Sequence, residues 1–303
     1  MAVLGTLVAV PRSDRLAAST ALRPAAALLT CMFFLGCTSN HAEQPALPVP
    51  TPPTTSLPQT SPSQPATTPP PAPQWRVGAH PLPLRADGFG QVLPTPPELV
   101  RRSLPTLDLL PPPASEQYAS TVRPVPPGVL ARSTWQRECP VRADDLRYLT
   151  MSFWGFDGRQ HTGEMIVNAR VAESVTGVFG ELHRARFPIE EMRVTGKDEL
   201  DLAPTGDTNN TGAFVCRPAR NQGRWSAHAY GLAIDLNPFC NPYLKGDLVI
   251  PELASAYLDR ADRRPGMITV GDPAHRAFTQ VGWAWGGTWR EPTDIMHFSA
   301  TGD

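Results

Sequence analysis

Ser226-Ala227-His228-Ala229-Tyr230-Gly231-Leu232-Ala233-Ile234-Asp235-Leu236-Asn237-Pro238 is answered near the C-terminus by Asp294-Ile295-Met296-His297-Phe298. Leu232, Ile234 and Leu236 alternate with Ala233 and Asp235 at the two-residue period of a strand, which turns Asp235 away from the apolar face. Gly231 permits a tight turn just before it. By the same parity Met296 and Phe298 face the core and His297 faces the other way. Both stretches therefore read as strands aiming His228, Asp235 and His297 into one cleft. Three side chains of this kind are the usual protein ligands of a catalytic zinc ion, which keeps a fourth position for water. Asp294 is a further carboxylate, suited to moving a proton.

Each residue has a plainer reading. A single Asp is by default a turn or cap residue, and a single His is more often structural than a ligand. His41, His80, His161, His183 and His275 are read as structural, with His161, which follows a hairpin turn, kept as a reserve ligand. Trp283, Trp285 and Trp289 are core and rim packing, one of them a candidate to line the cleft beside His297. Ser226 lacks the Gly-x-Ser-x-Gly elbow of a nucleophile. Tyr243 anchors an Asn-Pro-Tyr turn and is left out of the catalytic set. What weakens the plain reading is agreement between spacing, strand parity and a downstream partner.

The pattern S-x-H-x(6)-D, followed far downstream by a carboxylate, two residues and a His, resembles the zinc peptidases of the D-alanyl-D-alanine carboxypeptidase and L-alanyl-D-glutamate endopeptidase family. That family shares its fold with the Hedgehog signalling domain. The chain supplies the pattern as Ser226, His228, Asp235, Asp294 and His297. The likeness extends more loosely through Cys216-Arg217-Pro218, Asn241-Pro242-Tyr243 and Gly282-Trp283-Ala284-Trp285-Gly286-Gly287, and so covers the chain from near Ser133 onward. It implies one zinc ion held by His228, Asp235 and His297, Asp294 as the base, and Arg217 binding a substrate carboxylate or the oxyanion. Many members carry Glu where this chain has Asp294. The shorter side chain also occurs in the endopeptidase branch and tilts the expectation slightly that way.

The N-terminus reads as an export signal, with Arg12, Arg15 and Arg23 ahead of an apolar run from Ala25 to Leu35. That run falls short of the roughly 20 residues needed to span a bilayer, which favours a cleaved signal. Leu35-Gly36-Cys37 resembles a bacterial lipobox with Phe34 where Leu is usual, so either Cys37 carries a lipid or an ordinary signal peptide has a cysteine nearby. Residues 38–74 are dominated by Pro, Thr, Ser, Gln and Ala, a composition that cannot bury a core and predicts a disordered tether. Residues 75–130 stay Pro-rich with short apolar patches, and either pack along the domain or lie loose.

With 27 basic and 28 acidic residues the chain offers no electrostatic support for a nucleic-acid partner. Beyond Cys31 and Cys37, three cysteines face an oxidising compartment: one disulfide and one free thiol is the simplest arithmetic. The family pattern has no cysteine in the Asn-Pro-Phe-Cys-Asn-Pro turn of Cys240, so the resemblance favours pairing Cys139 with Cys216.

Residues 131–303 are long enough for one core. Leu149, Met151 and Phe153 alternate as a strand, and Asp157-Gly158 turns the chain into a second strand ending at Ile166-Val167. Asn168 caps a helix with apolar positions Val171, Val175, Val178, Phe179 and Leu182. Ile189, Met192 and Val194 predict another strand. Asp272-Pro273 opens a short helix that Gly282 closes. Gly196 to Gly212 reads as a solvated loop, and Asn209-Asn210-Thr211 formally matches a glycosylation acceptor of little weight here. The fold class expected is α+β, an antiparallel sheet with flanking helices. The functional expectation is an exported, monomeric zinc peptidase of the cell envelope, membrane-tethered or secreted, cutting peptidoglycan stem peptides by carboxypeptidase or endopeptidase action. Two other classes stay open: a non-catalytic zinc-stabilised module that binds the cell envelope, and a lipoprotein whose Pro-rich region is its working part.

Overall fold

The computed structural model describes residues 75–219 and 223–302, all within one compact unit, Thr68–Asp303. The expected signal, Cys37, His41 and the tether lie outside the described residues. Two short helices, α1 (Pro97–Val100) and α2 (Pro127–Arg132), lie in the chain on either side of strand β1 (Ser120–Pro124), which forms an antiparallel sheet with β2 (Leu146–Trp154) and β3 (Gln160–Asn168) in that order. The Asp157-Gly158 turn joins β2 to β3, with Gly158 at φ +74°. Asn168 then accepts a hydrogen bond from the Arg170 N–H, and after one short turn helix α3 (Ala172–Arg184) buries Val175, Val178, Phe179 and Leu182.

Alternation in β2 is incomplete, because both faces of the sheet are covered. Leu149, Met151 and Phe153 pack beneath α3, while Leu146, Tyr148 and Ile166 meet Val194, Phe214 and Cys216 on the other side. Helix α4 (Pro273–Gln280) is capped by Asp272, which accepts from the His275 N–H. A second sheet pairs β4 (Ala233–Asp235), β9 (His297–Ser299) and β7 (Ala284–Trp285); a third pairs β6 (Leu248–Ile250), β5 (Tyr243–Lys245) and β8 (Thr293–Asp294). The class is mixed helix and small antiparallel sheets, as α+β anticipates, with three sheets among the described residues in place of one. The second sheet is fixed to the core by Phe298, whose ring stacks on Phe278 at 4.0 Å while Phe278 meets Phe179 edge-on.

Two expectations need correction. Ile189, Met192 and Val194 are buried but form no strand: the Glu190, Arg193 and Val194 N–H groups donate to Asn237, Asn210 and Glu164 side chains, so no ladder propagates. Gly196 to Gly212 is solvated only in its first half: Asp198, Leu200, Asp201 and Leu202 are exposed, whereas Asp207, Asn209 and Thr211 are buried. Asn209 donates to Glu190 and accepts from the Phe239 N–H, which removes it as a glycosylation acceptor. Cys139 and Cys216 form the disulfide, and Cys240 is a buried free thiol pushed up to about 12 by burial.

Of the two outcomes open for the Pro-rich stretch, it packs against the domain. Trp75 Nε1 donates to Asp207, and Leu99 sits in a cluster with Phe239, Leu253 and Tyr257. Arg102 is buried: its guanidinium lies 4.4 Å over the Phe239 ring and donates to both Glu190 oxygens at 2.6 and 2.7 Å. Removing one member of a buried ion pair leaves the other charge uncompensated, which costs about 3–5 kcal/mol. Arg102→Ala is therefore expected to lower unfolding stability by about that amount in urea melts. An unchanged midpoint would contradict the structural role of this segment.

Candidate metal centre

His228 stands on a single helical turn, Ala227–Tyr230, whose first residue is capped by Ser226: its hydroxyl accepts from the His228 N–H at 3.3 Å. The expected strand at His228 is thus a helical turn, while Asp235 and His297 do lie on strands. Gly231 ends the turn at φ +66°, and a Cβ there would sit 2.6 Å from the Asn168 nitrogen. Glycine therefore sets the sharp return into β4. Asp235 closes β4 directly opposite His297 at the start of β9. Directly paired residues share a face of the sheet, so strand register alone brings the carboxylate to the imidazole.

Three distances define the centre. His297 Nδ1 lies 3.1 Å from Asp235 Oδ1, His228 Nε2 lies 3.3 Å from Asp235 Oδ2, and the two ring nitrogens are 3.2 Å apart. His228 Nδ1 is 2.7 Å from the Ala213 carbonyl. A carbonyl only accepts, so Nδ1 carries the proton and Nε2 presents its lone pair to the cluster, as second-sphere partners of metal-binding histidines usually arrange. Tetrahedral zinc with bonds of about 2.0–2.1 Å has donor–donor edges of about 3.3 Å. The triangle matches those edges, and among the described residues this is the group of His, Asp, Glu or Cys side chains that could hold a metal. Burial works against the charge of Asp235, yet the imidazoles beside it hold its carboxyl well below the usual range.

Asp294 ends β8 beside this group. Its Oδ1 is buried without a hydrogen-bond partner. Burial, then the Asp235 carboxylate, push the Asp294 carboxyl up to about 7, against the opposing pull of His297 and Arg217. Gly286 lies against it, and a Cβ there would come within 2.5 Å of the Asp294 carbonyl oxygen. The cleft around these groups encloses about 270 Å³ and is also lined by Arg217, Arg224, Tyr243, Trp289 and Met296.

All five predicted site residues line this one cleft. Of the three tryptophans it is Trp289 that reaches the site, its ring 5.5 Å from His297. Met296 is buried, as the parity reading expects, and it also lines the cleft beside His297. The reserve ligand His161 takes no part: it is buried between Asp108 and Asp157, at 2.8 and 3.2 Å. Tyr243, set aside from sequence, pairs with Asp294 across β5 and β8. Nothing in the local sequence signals that pairing, which depends on a long-range register.

Residues 219–300 match a family model described as D-alanyl-D-alanine carboxypeptidase. The matched stretch contains His228, Asp235, Asp294 and His297; Arg217 lies just before it. Comparisons with curated proteins and with solved structures give no match.

The raised carboxyl has a measurable consequence. An acid whose pKa is higher folded than unfolded contributes stability that is complete below about pH 4 and lost as the pH rises through about 7. In chelator-treated protein Asp294→Asn is therefore expected to raise the melting temperature, relative to the parent, more at about pH 8 than at about pH 4. A difference independent of pH would contradict the crowding of Asp294 by Asp235 and the cleft wall.

Proposed function

We propose that the chain is a zinc-dependent peptidase that hydrolyses peptidoglycan stem peptides, with His228, Asp235 and His297 holding one ion, Asp294 acting as the base and Arg217 binding an anionic group. One observation carries the reading: three donors converge with tetrahedral edges, the His228 tautomer set by the Ala213 carbonyl, beside a buried carboxyl oxygen that has no partner. The family match supports a peptidase and the peptidoglycan substrate class. When bound, zinc supplies Lewis-acid polarisation of a peptide carbonyl and lowers the pKa of a water in the site to about 7.

The remaining steps belong to side chains. Asp294 takes the proton that water gives up as it attacks the peptide carbonyl, and passes it to the departing amine nitrogen. A carboxyl pushed up to about 7 can both accept and release a proton near neutral pH. Arg217 offers a fixed fork of donors, suited to a terminal carboxylate or to the oxygen on which negative charge develops. His228 and His297 remain neutral ligands, the first oriented by Ala213. Localisation belongs to the same proposal: an exported envelope protein, with Cys37 as the candidate lipid site. The Cys139–Cys216 disulfide supports an oxidising compartment.

Digestion of purified muropeptides followed by mass spectrometry tests the reading. The parent should release a terminal alanine or make an internal cut, and a chelator or His228→Ala should abolish either product. Asp294→Ala should retain zinc while kcat falls about 10²–10⁴-fold, and Arg217→Ala should act mainly through KM. Full turnover by the Asp294 variant would remove its role. Zinc retention with no cleavage by the parent would favour a binding module.

A further inference from the structure

Three residues that line the cleft form a row across the third sheet. Asp294 on β8 pairs with Tyr243 on β5, and Tyr243 pairs with Ile250 on β6, so all three project from one face. Neighbouring strands lie about 4.8 Å apart, which puts Ile250 roughly 10 Å from Asp294. An extended peptide advances about 3.3 Å per residue, so that span corresponds to about three residues of substrate.

Phe89 prolongs the row. It comes from the Pro-rich stretch, lies far outside the matched residues 219–300, and lines the same cleft at 8% exposure. Its position is built. Leu84 and Gly90 bridge to close a short hairpin, and the Arg85 N–H donates to the Phe89 carbonyl. The Arg85 guanidinium donates to both oxygens of Asp247, in the turn between β5 and β6, at 3.1 Å each. On the other side the Gly90 N–H donates at 2.9 Å to the buried Glu252, two residues beyond Ile250. Both anchors flank β6, so Phe89 is held at the Ile250 end of the row, away from the reacting groups.

We infer that the 84–90 hairpin completes a distal apolar subsite, formed by Phe89 and Ile250, which selects an apolar substrate residue about three positions from the bond that is cut. The inference rests on the peptidase reading of the cleft. The N-terminal segment is then a determinant of specificity as well as a structural strap.

The test reads binding without turnover. Full-length protein is titrated calorimetrically with peptides in which the amide of D-alanyl-D-alanine is replaced by a methyleneamino link, lengthened stepwise on the amino side or, in a second series, on the carboxyl side. In one series affinity should rise about tenfold when a leucine is placed about three positions out, and should not rise with glutamate there. Phe89→Ala should reduce that gain to within about twofold, Phe89→Leu should keep part of it, and Ile250→Ala should reduce it without touching the hairpin. An equal gain in parent and variants, or no gain in either series, overturns the subsite. Separately, failure of the parent to hydrolyse muropeptides would count against the proposed reaction and leave this binding result standing.

Discussion

The direct pairing of Asp235 with His297 across β4 and β9 is the contact on which the site depends. These residues are 62 positions apart, and only strand register brings them to 3.1 Å. Both strands are short, with three residues each. Strands of that length hold register only if their other faces are pinned. Ile234 and Phe298 do the pinning, both fully buried, with Phe298 stacked on Phe278 of α4. A slip of one residue in either strand would turn that strand's proposed ligand into the core and its apolar neighbour into the cleft. The hydrophobic core thus sets the geometry of the centre without touching it.

Behind β4 a polar network extends this control to distant parts of the chain. Asn237, just past Asp235, donates to the Pro188 carbonyl, accepts from the Glu190 N–H and receives support at its own N–H from Thr211. Glu190 in turn binds Arg102 and Asn209. Asn237, Glu190, Thr211, Arg102 and Asn209 are all buried, and buried polar groups are costly unless bonded. The Pro-rich stretch is thereby tied to the segment that carries Asp235, and its hairpin reaches the cleft through Phe89.

How far these features could be read from sequence follows the range of the interactions behind them. The β2–β3 hairpin, α3 with its Asn168 cap and α4 with its Asp272 cap are local: turn chemistry, caps and periodicity lie within a few residues. The ligand candidates were legible because spacing and parity act together over Ser226 to Leu236. Elements fixed by distant side chains were not. Glu190 to Val194 looks like a strand by composition, but three of its N–H groups donate to the side chains of Asn237, Asn210 and Glu164. Asp207 looks solvated until Trp75, 132 positions away, is seen to donate to it. Tyr243 and Phe89 reach the cleft through a cross-strand register and a hairpin strap, neither of which leaves a local signature.

The proposed chemistry requires His228, His297 and Asp235 to bind one metal ion together. Zinc K-edge X-ray absorption on the full-length protein, loaded with one equivalent, reads that coordination. Two imidazole nitrogens and carboxylate oxygen are expected at about 2.0–2.2 Å, with the imidazole scattering halved in His297→Ala. A spectrum of hydrated zinc, or one dominated by sulfur at about 2.3 Å, would contradict it.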